Sequence, residues 1–309
     1  MPIANPNYFT GNPLERLSEK RGDAKWLAEQ LAHEKACMVP FWRGRPLVET
    51  PDGPGGKARA LWLSPLARSE FAQDAPVVLL GFREGAPYFA LDASASGASA
   101  EAAPFADMAS YKGMRELAGM LELDEVAILG QGLWLLDWHR RHQFCANCGA
   151  PTNMVGGGTH RHCDDCDTDH FPRTDPVAIV LVTRGDKCLL GRGVKFPPTL
   201  FSALAGFLEP GETLEECAAR EVYEEVGVRV KDVRYIFSQP WPFPSSLMAG
   251  YIAETDDTDY TLDETEIAEA RWISTREIKA ILTGERRDDL NIPPPFAIAH
   301  QLLVEWVKE

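Results

Sequence analysis

Nowhere in the 309 residues does an apolar run approach the ~20 residues a helix needs to cross a bilayer. The opening MPIANPNYFTGNPLERLSEKRGD has no basic segment followed by an apolar core, so no secretory signal is expected. The closing LLVEWVKE carries no prenylation or peroxisomal tripeptide. The expectation is a cytoplasmic chain with no membrane partner. Positive charge is scarce: 31 Lys and Arg stand against 46 Asp and Glu, a formal net charge of −15. Broad, unaided binding to nucleic acid needs clustered cations and is disfavoured. A phosphorylated small molecule is not excluded, because a metal or a few local cations can reverse the field inside one cleft. Scattered cysteine is scarce too. Only Cys37, Cys188 and Cys217 stand apart, and they are expected to be buried free thiols. At 45% hydrophobic and 25% charged the composition excludes disordered and fibrous classes, and the length suits about two domains.

What is present is organised in blocks. KACMVPFWRGRPLV, ALWLSP and PVVLLGFREGAPYFALD read as short strands parted by Gly, Pro and Asp turns, and SASGASAEAAPFADM as an exposed loop. From Asp124 onward apolar residues at 126, 129, 133, 136 and 138 keep a helical rhythm. After Asp175, VAIVLVT and KCLLGRG suggest a hairpin around Arg184-Gly185-Asp186, SALAGFLEPGE a strand and turn, and VRYIFSQ and LMAGYIAE two more strands. Two helices flank them, TLEECAAREVYEEVG and AIAHQLLVEWVKE, which predicts an α/β sandwich. No internal repeat is visible in the sequence.

The remaining four cysteines fall within 22 residues as Cys145-x2-Cys148, fourteen residues, then Cys163-x2-Cys166. Two such knuckles can set four thiolates tetrahedrally around one Zn²⁺ per chain. Four thiolates close the site, which leaves no position for a reacting water, so the role is structural. Gly149 and Gly156–Gly158 suit the tight turns required.

GFLEPGETLEECAAREVYEEVGV (206–228) carries the chemistry. On a helix, Glu221, Glu224 and Glu225 share a face, with Ala219, Val222, Tyr223 and Val226 expected as the apolar stripe opposite. Thr213 and Glu216 suit a capping box, and Gly227 a C-terminal stop. Carboxylates this crowded repel one another unless a cation holds them, and hard oxygen donors suit Mg²⁺ or Mn²⁺ across substrate phosphates. The pattern of Gly206, Glu212, Arg220-Glu221, Glu224-Glu225 and Gly227 resembles the Nudix box at every defining position. That resemblance implies Glu221 and Glu225 as metal ligands, Glu224 as a ligand or base, Glu212 and Arg220 as orienting groups, and the carbonyl of Ala205 as a further ligand. It also matches Glu266, in ETEIAEARW, to a remote glutamate that completes a site for two or three ions.

Ten residues beyond Val228 lies SQPWPFPSS (238–246). Its prolines suit neither a central strand nor a helix interior, so a stiff extended loop is expected. The stretch resembles the signature of the NADH pyrophosphatase branch of the Nudix hydrolases, where a cysteine ribbon likewise precedes the hydrolase domain. By that resemblance Gln239, Pro240, Trp241, Pro242, Phe243, Pro244, Ser245 and Ser246 line a dinucleotide pocket. Phe171 and Phe207 match rings that sandwich a base, and Ala299 matches a backbone contact.

The expected fold class is α+β: a β-rich domain over 1–125, a connecting helix over 126–142, a zinc ribbon over 143–172, and a Nudix α/β/α sandwich over 173–309. The expected reaction is metal-dependent hydrolysis of the pyrophosphate of NADH or NAD⁺, giving AMP and nicotinamide mononucleotide. Removal of an NAD cap from RNA 5′ ends is the same chemistry on a longer substrate. A zinc-ribbon adaptor with an inactive Nudix domain is the reading from another class. The branch resemblance implies a homodimer.

Overall fold

A computed structural model describes residues 5, 7–50 and 56–308; the turn expected at 51–55 lies outside them. The chain forms two units, one of Phe9–Arg173 with Pro242–Ser245, the other of 174–241 and 246–308 with residues 5, 7 and 8.

The first unit opens with α1 (Ala24–Leu31), capped by Asp23, whose carboxylate accepts from the amides of Lys25 and Trp26. Strands β1 (Cys37–Trp42), β2 (Arg45–Glu49), β3 (Arg59–Ala60), β4 (Val77–Arg83), β5 (Ala86–Asp92) and β6 (Ser110–Tyr111) form one sheet. The order is β3-β2-β1-β5-β4, with β6 also paired to β2. ALWLSP does not make the strand expected of it, since only Ala60 pairs continuously and Leu63 forms an isolated bridge to Met38. Two helices follow, α2 (Met114–Leu117) and α3 (Leu123–Arg141). The segment expected to connect domains is part of this unit's core, because Val126, Leu129, Leu136 and Trp138 are buried. Two glycines let α3 approach closely. A Cβ on Gly130 would lie 2.7 Å from the Phe9 ring, and one on Gly132 would lie 3.1 Å from that of Phe41. The cysteine knuckles with β7 (Asn153–Val155), β8 (His160–Cys163) and β9 (Thr168–His170) complete the unit. The knuckle turn at Gly156–Gly158 has positive φ throughout and sits against β4, where the Leu79 amide donates to Gly157 O at 2.8 Å. A side chain on Gly158 would run into Val78 at 2.5 Å.

In the second unit β10 (Asp175–Arg184) is the central strand, with β11 (Lys187–Gly193) and β12 (Leu204–Phe207) antiparallel to it. Next come α4 (Leu214–Val226), β13 (Lys231–Trp241), β14 (Ser246–Glu254), β15 (Ile267–Ser274), α5 (Thr275–Leu282) and α6 (Ile298–Trp306). The order is β13-β14-β10-β11-β15, with β14 parallel to β10. Alternation along β10 serves two layers. Ala178, Val180 and Val182 pack with Cys217, Ala218, Val222 and Val226 of α4, whereas Ile179 and Leu181 pack with Ile278, Ile298, Leu302 and Trp306. Each fully buried aliphatic residue here contributes roughly 1.5–3 kcal/mol. This is the expected sandwich, with α5 added to the helices the sequence suggested.

Both units repeat one topology that the sequence conceals. In each, a central strand lies parallel to a later one and antiparallel to its hairpin partner, and a further strand joins that partner before two helices: β1, β5, β2 and β6 in one, β10, β14, β11 and β15 in the other. Between β3 and β4 the first copy has a six-residue 3-10 helix (Pro65–Glu70) where the second, between β12 and β13, has the 13-residue α4.

Candidate active site

The glutamate helix is fixed at both ends. Thr213 accepts from the Glu216 amide while Glu216 accepts from the Thr213 amide, a reciprocal cap. Gly227 closes the helix at φ 69°, its N–H donating to Tyr223 O at 2.8 Å. The apolar stripe differs from the expected one. Cys217, Ala218, Val222 and Val226 are buried, but Tyr223 is 49% exposed, beneath the Arg229 guanidinium, and Ala219 is only half-buried. At about 100° per residue Glu225 falls some 20° from Ala218 and within the core-facing arc, while Glu224 falls outside it. The three glutamates are therefore not equivalent. Glu224 is exposed, Glu221 half-buried and Glu225 buried at 6%.

Burial pushes the Glu225 carboxyl up to about 8, helped by Glu221 and Glu266, although the main chain of Ala205 hydrogen-bonds it. Its Oε2 is buried without a protein partner. Burial also raises Glu221, with Glu224 and Glu266 adding to the rise. Glu266 is exposed in the turn before β15, and its backbone carbonyl accepts from the Val194 amide at 2.9 Å. Glu221, Glu225 and Glu266 thus form an acidic set drawn from two elements. A buried carboxylate oxygen with no donor, beside two further carboxylates, suits a divalent cation.

Arg220 organises this set. It makes a two-pronged contact with Glu212, through Nε to Oε1 at 2.5 Å and Nη2 to Oε2 at 2.9 Å. It also donates to Glu221 Oε1 at 2.8 Å, Glu224 Oε2 at 2.9 Å and Phe207 O at 3.0 Å. Glu212 accepts from the Glu209 amide as well, and Arg220 holds its carboxyl down at about 2. One guanidinium fork ties loop 207–212 to the helix. The sequence left the first glycine of the box unexplained. A Cβ on Gly206 would lie 1.8 Å from the Glu221 carboxylate carbon, so this position must be bare for the carboxylate to sit against β12.

The proline-rich stretch differs from a free loop. Gln239, Pro240 and Trp241 continue β13 and pair with Met248, Leu247 and Ser246 of β14. Proline is tolerated there because β13 is an edge strand. Only 242–245 form a tip, which belongs to the first unit, where Phe243 packs edge-on against Phe9 and under the Arg115 guanidinium. Trp241 stacks on Phe296, and Ser245 and Ser246 are buried. Gln239, expected against substrate, is wholly buried and committed to the fold. Its amide nitrogen donates to Tyr8 O and Phe296 O at 3.1 and 2.9 Å, and its oxygen accepts from the Ile298 amide at 2.9 Å. Ala299 follows in the first turn of α6, buried at 3%. Phe207 and Phe171 are 61% and 67% exposed. Phe171 lies in the other unit from Phe207 and stacks on His160 there.

Among the described residues, the four cysteines are the only set of three or more Cys, His, Asp or Glu whose ligand atoms all lie within 4.8 Å of one another. Cys145–Cys166 and Cys148–Cys163 sulfurs are each 3.5 Å apart, close to the ~3.8 Å edge of a tetrahedron with 2.3 Å zinc–sulfur bonds. The Asn147 amide donates to Cys145 Sγ, and the Cys148 amide leads the contacts that bring the Cys145 thiol down to about 5. The donor set fits structural zinc. Cys188 and Cys217 are buried free thiols as expected, whereas Cys37 is half-buried. No helix among the described residues is long and apolar enough to cross a membrane.

Three family models match the chain in succession: "NADH pyrophosphatase-like rudimentary NUDIX domain" over 35–138, "NADH pyrophosphatase zinc ribbon domain" over 140–171 and "NUDIX domain" over 172–292. The first agrees with the repeated topology. The chain is 34% identical to the human "NAD-capped RNA hydrolase NUDT12", over 98% of this chain and 73% of that protein. It is 32% identical to the Arabidopsis thaliana "Nudix hydrolase 19, chloroplastic", over 97% and 86%. It is also 42% identical to the "NAD-capped RNA hydrolase NudC" of Chromobacterium violaceum, over 59% and 65%.

Proposed function

The chain belongs to the Nudix hydrolases of the NADH pyrophosphatase type, and from that membership we propose how its residues cleave the pyrophosphate of NADH and NAD⁺ into AMP and the nicotinamide mononucleotide. The observation that carries the reading is the buried, partnerless Oε2 of Glu225 beside Glu221 and Glu266. Glu221, Glu225 and Glu266, with the main chain of Ala205, would hold Mg²⁺ or Mn²⁺, which neutralise phosphate charge and activate water when bound. Arg220 keeps Glu221 and Glu224 at fixed positions through its fork on Glu212. Water adds its oxygen to one phosphorus and loses a proton, and the bond between that same phosphorus and the bridging oxygen breaks, so the bridging oxygen leaves on the other phosphate. The helix offers two acceptors for that proton, Glu224 at the surface and Glu225 in the interior. Phe207, exposed at the mouth of the glutamate loop, offers a face to a base.

An NAD-capped RNA 5′ end is a second substrate of the same chemistry, favoured by the relatives that carry that name. The working form is a cytoplasmic homodimer. Metal-dependent release of AMP from NADH, resolved by chromatography, tests the reading. Glu225→Gln should lower turnover by at least about 1000-fold with the fold intact, as expected when a buried group central to charge stabilisation is lost. Near-normal turnover in that variant would remove Glu225 from the site.

A further inference from the structure

Glu266 differs from the other carboxylates of the site in being carried by a loop, not by a helix. Segment 255–266 joins β14 to β15 and is polar along most of its length, yet it is tied down on both sides. Toward β15, the Tyr260 hydroxyl donates to Ala270 O at 2.6 Å, and the Trp272 ring nitrogen donates to Thr258 O at 3.1 Å. Toward the glutamate helix, Leu262 packs into the layer shared by β10 and α4. The Thr261 and Asp263 amides donate to Val226 O at 2.8 Å and to Glu225 O at 3.0 Å. Those two carbonyls lie in the last turn of α4, where the helix supplies no donors of its own.

Asp263 is where these ties meet. Beyond its amide on Glu225, its Oδ1 accepts from the Thr265 amide at 2.9 Å and from the Thr265 hydroxyl at 2.7 Å. Its carbonyl accepts from the amides of Glu266 at 3.1 Å and Ile267 at 2.9 Å. A side-chain oxygen bonded to the amide two residues on fixes the turn as a further peptide group would. The Glu266 carbonyl in its turn is held by the Val194 amide at 2.9 Å. Both main-chain polar groups of Glu266 therefore have partners, while its side chain is exposed. A single residue, Asp263, links the main chain of the buried glutamate to that of the exposed one.

We propose that Asp263 is a positioning residue for the divalent-metal site, hooking the main chain of Glu266 onto that of Glu225 and so setting where the loop's carboxylate stands against the helix's pair; the inference rests on the reading above that Glu266 completes the acidic set. Glu221 and Glu225 have α4 to hold them, whereas Glu266 has only the bonds of its loop. Without a cation the three carboxylates repel one another, and a slack loop relieves that repulsion by moving away. The bracket at Asp263 resists the movement, so the third carboxylate is in place before an ion arrives and less ordering is left to the binding step. Asp263 acts through Glu266 and contributes no ligand of its own.

The test is Mn²⁺ binding to the zinc-loaded protein without substrate, followed by the electron paramagnetic resonance signal of the free ion. Asp263→Ala should weaken Mn²⁺ binding about tenfold, the lower end of what partners of metal ligands contribute. Asp263→Asn keeps the acceptor oxygen and should stay within about twofold of wild type. Thr265→Val, a gentler change that drops only the hydroxyl, should weaken binding about threefold. In a Glu266→Gln background the Asp263→Ala change should have almost no further effect, because its route to the ion is already gone. Amide exchange at Thr265 and Glu266 in the protein without Mn²⁺ should quicken in Asp263→Ala but not in Asp263→Asn, which reads the turn directly. Wild-type Mn²⁺ binding in Asp263→Ala and Thr265→Val, while Glu266→Gln binds more weakly, overturns the proposal and leaves the acidic site standing. An equal loss from Asp263→Ala with and without Glu266→Gln also overturns it, by assigning Asp263 to the fold at large. Glu266→Gln binding Mn²⁺ as tightly as wild type removes Glu266 from the site, and the bracket with it.

Discussion

Replacing Gln239 by leucine separates two roles that the sequence could not. The side chain is fully buried and makes three hydrogen bonds, to Tyr8 O, Phe296 O and the Ile298 amide. It ties the edge strand β13 to the N-terminal residues and to the first turn of α6. Leucine is close in volume but leaves two carbonyls and one N–H buried without these partners. At roughly 1–1.5 kcal/mol for each orphaned group the loss is about 4 kcal/mol. For a unit of this size that corresponds to a fall of roughly 10 °C in melting midpoint, read by scanning calorimetry. Gln239→Glu adds a pH signature. Facing two carbonyl oxygens, the new carboxyl has a folded pKa above its unfolded ~4.3, so the folded state binds the proton more tightly. Stability is then greatest below that unfolded value and declines as pH rises through the folded one. Kinetics at low temperature complete the test. An unchanged melting midpoint with a KM for NADH raised tenfold or more would refute the reasoning and return Gln239 to the substrate.

Three further outcomes follow from the geometry. Gly206→Ala should lower kcat by about 100-fold with little change in circular dichroism, because its methyl carbon claims space 1.8 Å from the Glu221 carboxylate carbon and moves that carboxylate by an ångström or more; wild-type kcat would mean that Glu221 need not sit against β12. Cys148→Ala should take zinc from one per chain to none by elemental analysis and speed amide exchange at Leu79, which donates to Gly157 O on the knuckle turn, whereas unchanged protection would show that the turn holds without metal. His139 is 3% exposed, with Nε2 donating to Gly158 O at 2.9 Å, and burial takes its pKa down to about 4 from 6.5. Between those values the unfolded chain binds the proton and the folded one does not, so stability falls as pH drops through that window, by about 3 kcal/mol in all; a His139→Leu variant with the same acid sensitivity as wild type would contradict this.

The cysteine spacing and the box were legible because each packs its chemistry into one local segment. Two CxxC knuckles define a tetrahedron with little help from the rest of the fold, and a 13-residue helix carries Arg220, Glu221, Glu224 and Glu225 on its own repeat. Even so, periodicity alone sets the orientation of that helix one position away from the observed one. Tyr223 was expected inside and points out, while Glu225 lies within the arc that faces the core. Residues within about 40° of one another on a helix cannot be ranked for burial from periodicity alone, and the tie is broken by what packs against them.

The repeated topology is hidden in the sequence for a related reason. Strand order depends on alternation and turn geometry, which unrelated residues satisfy equally well, and where the second copy has α4 and its carboxylates the first has only a short 3-10 helix. The proline stretch reads as a loop because proline lacks a ladder donor, yet position in the sheet decides whether that matters. At the edge it does not, so Pro240 sits in a strand.

By itself, then, the sequence determined the zinc ligands, the reaction class and the helix that bears it, since these are contiguous patterns with fixed chemistry. Tertiary structure alone decided that Gln239 is a clip, that Gly206 must be bare for Glu221, and that Glu225 is the buried member of its trio. Each of these depends on what distant parts of the chain bring to the same place, and burial, the quantity that sets their chemistry, has no value until the chain is folded.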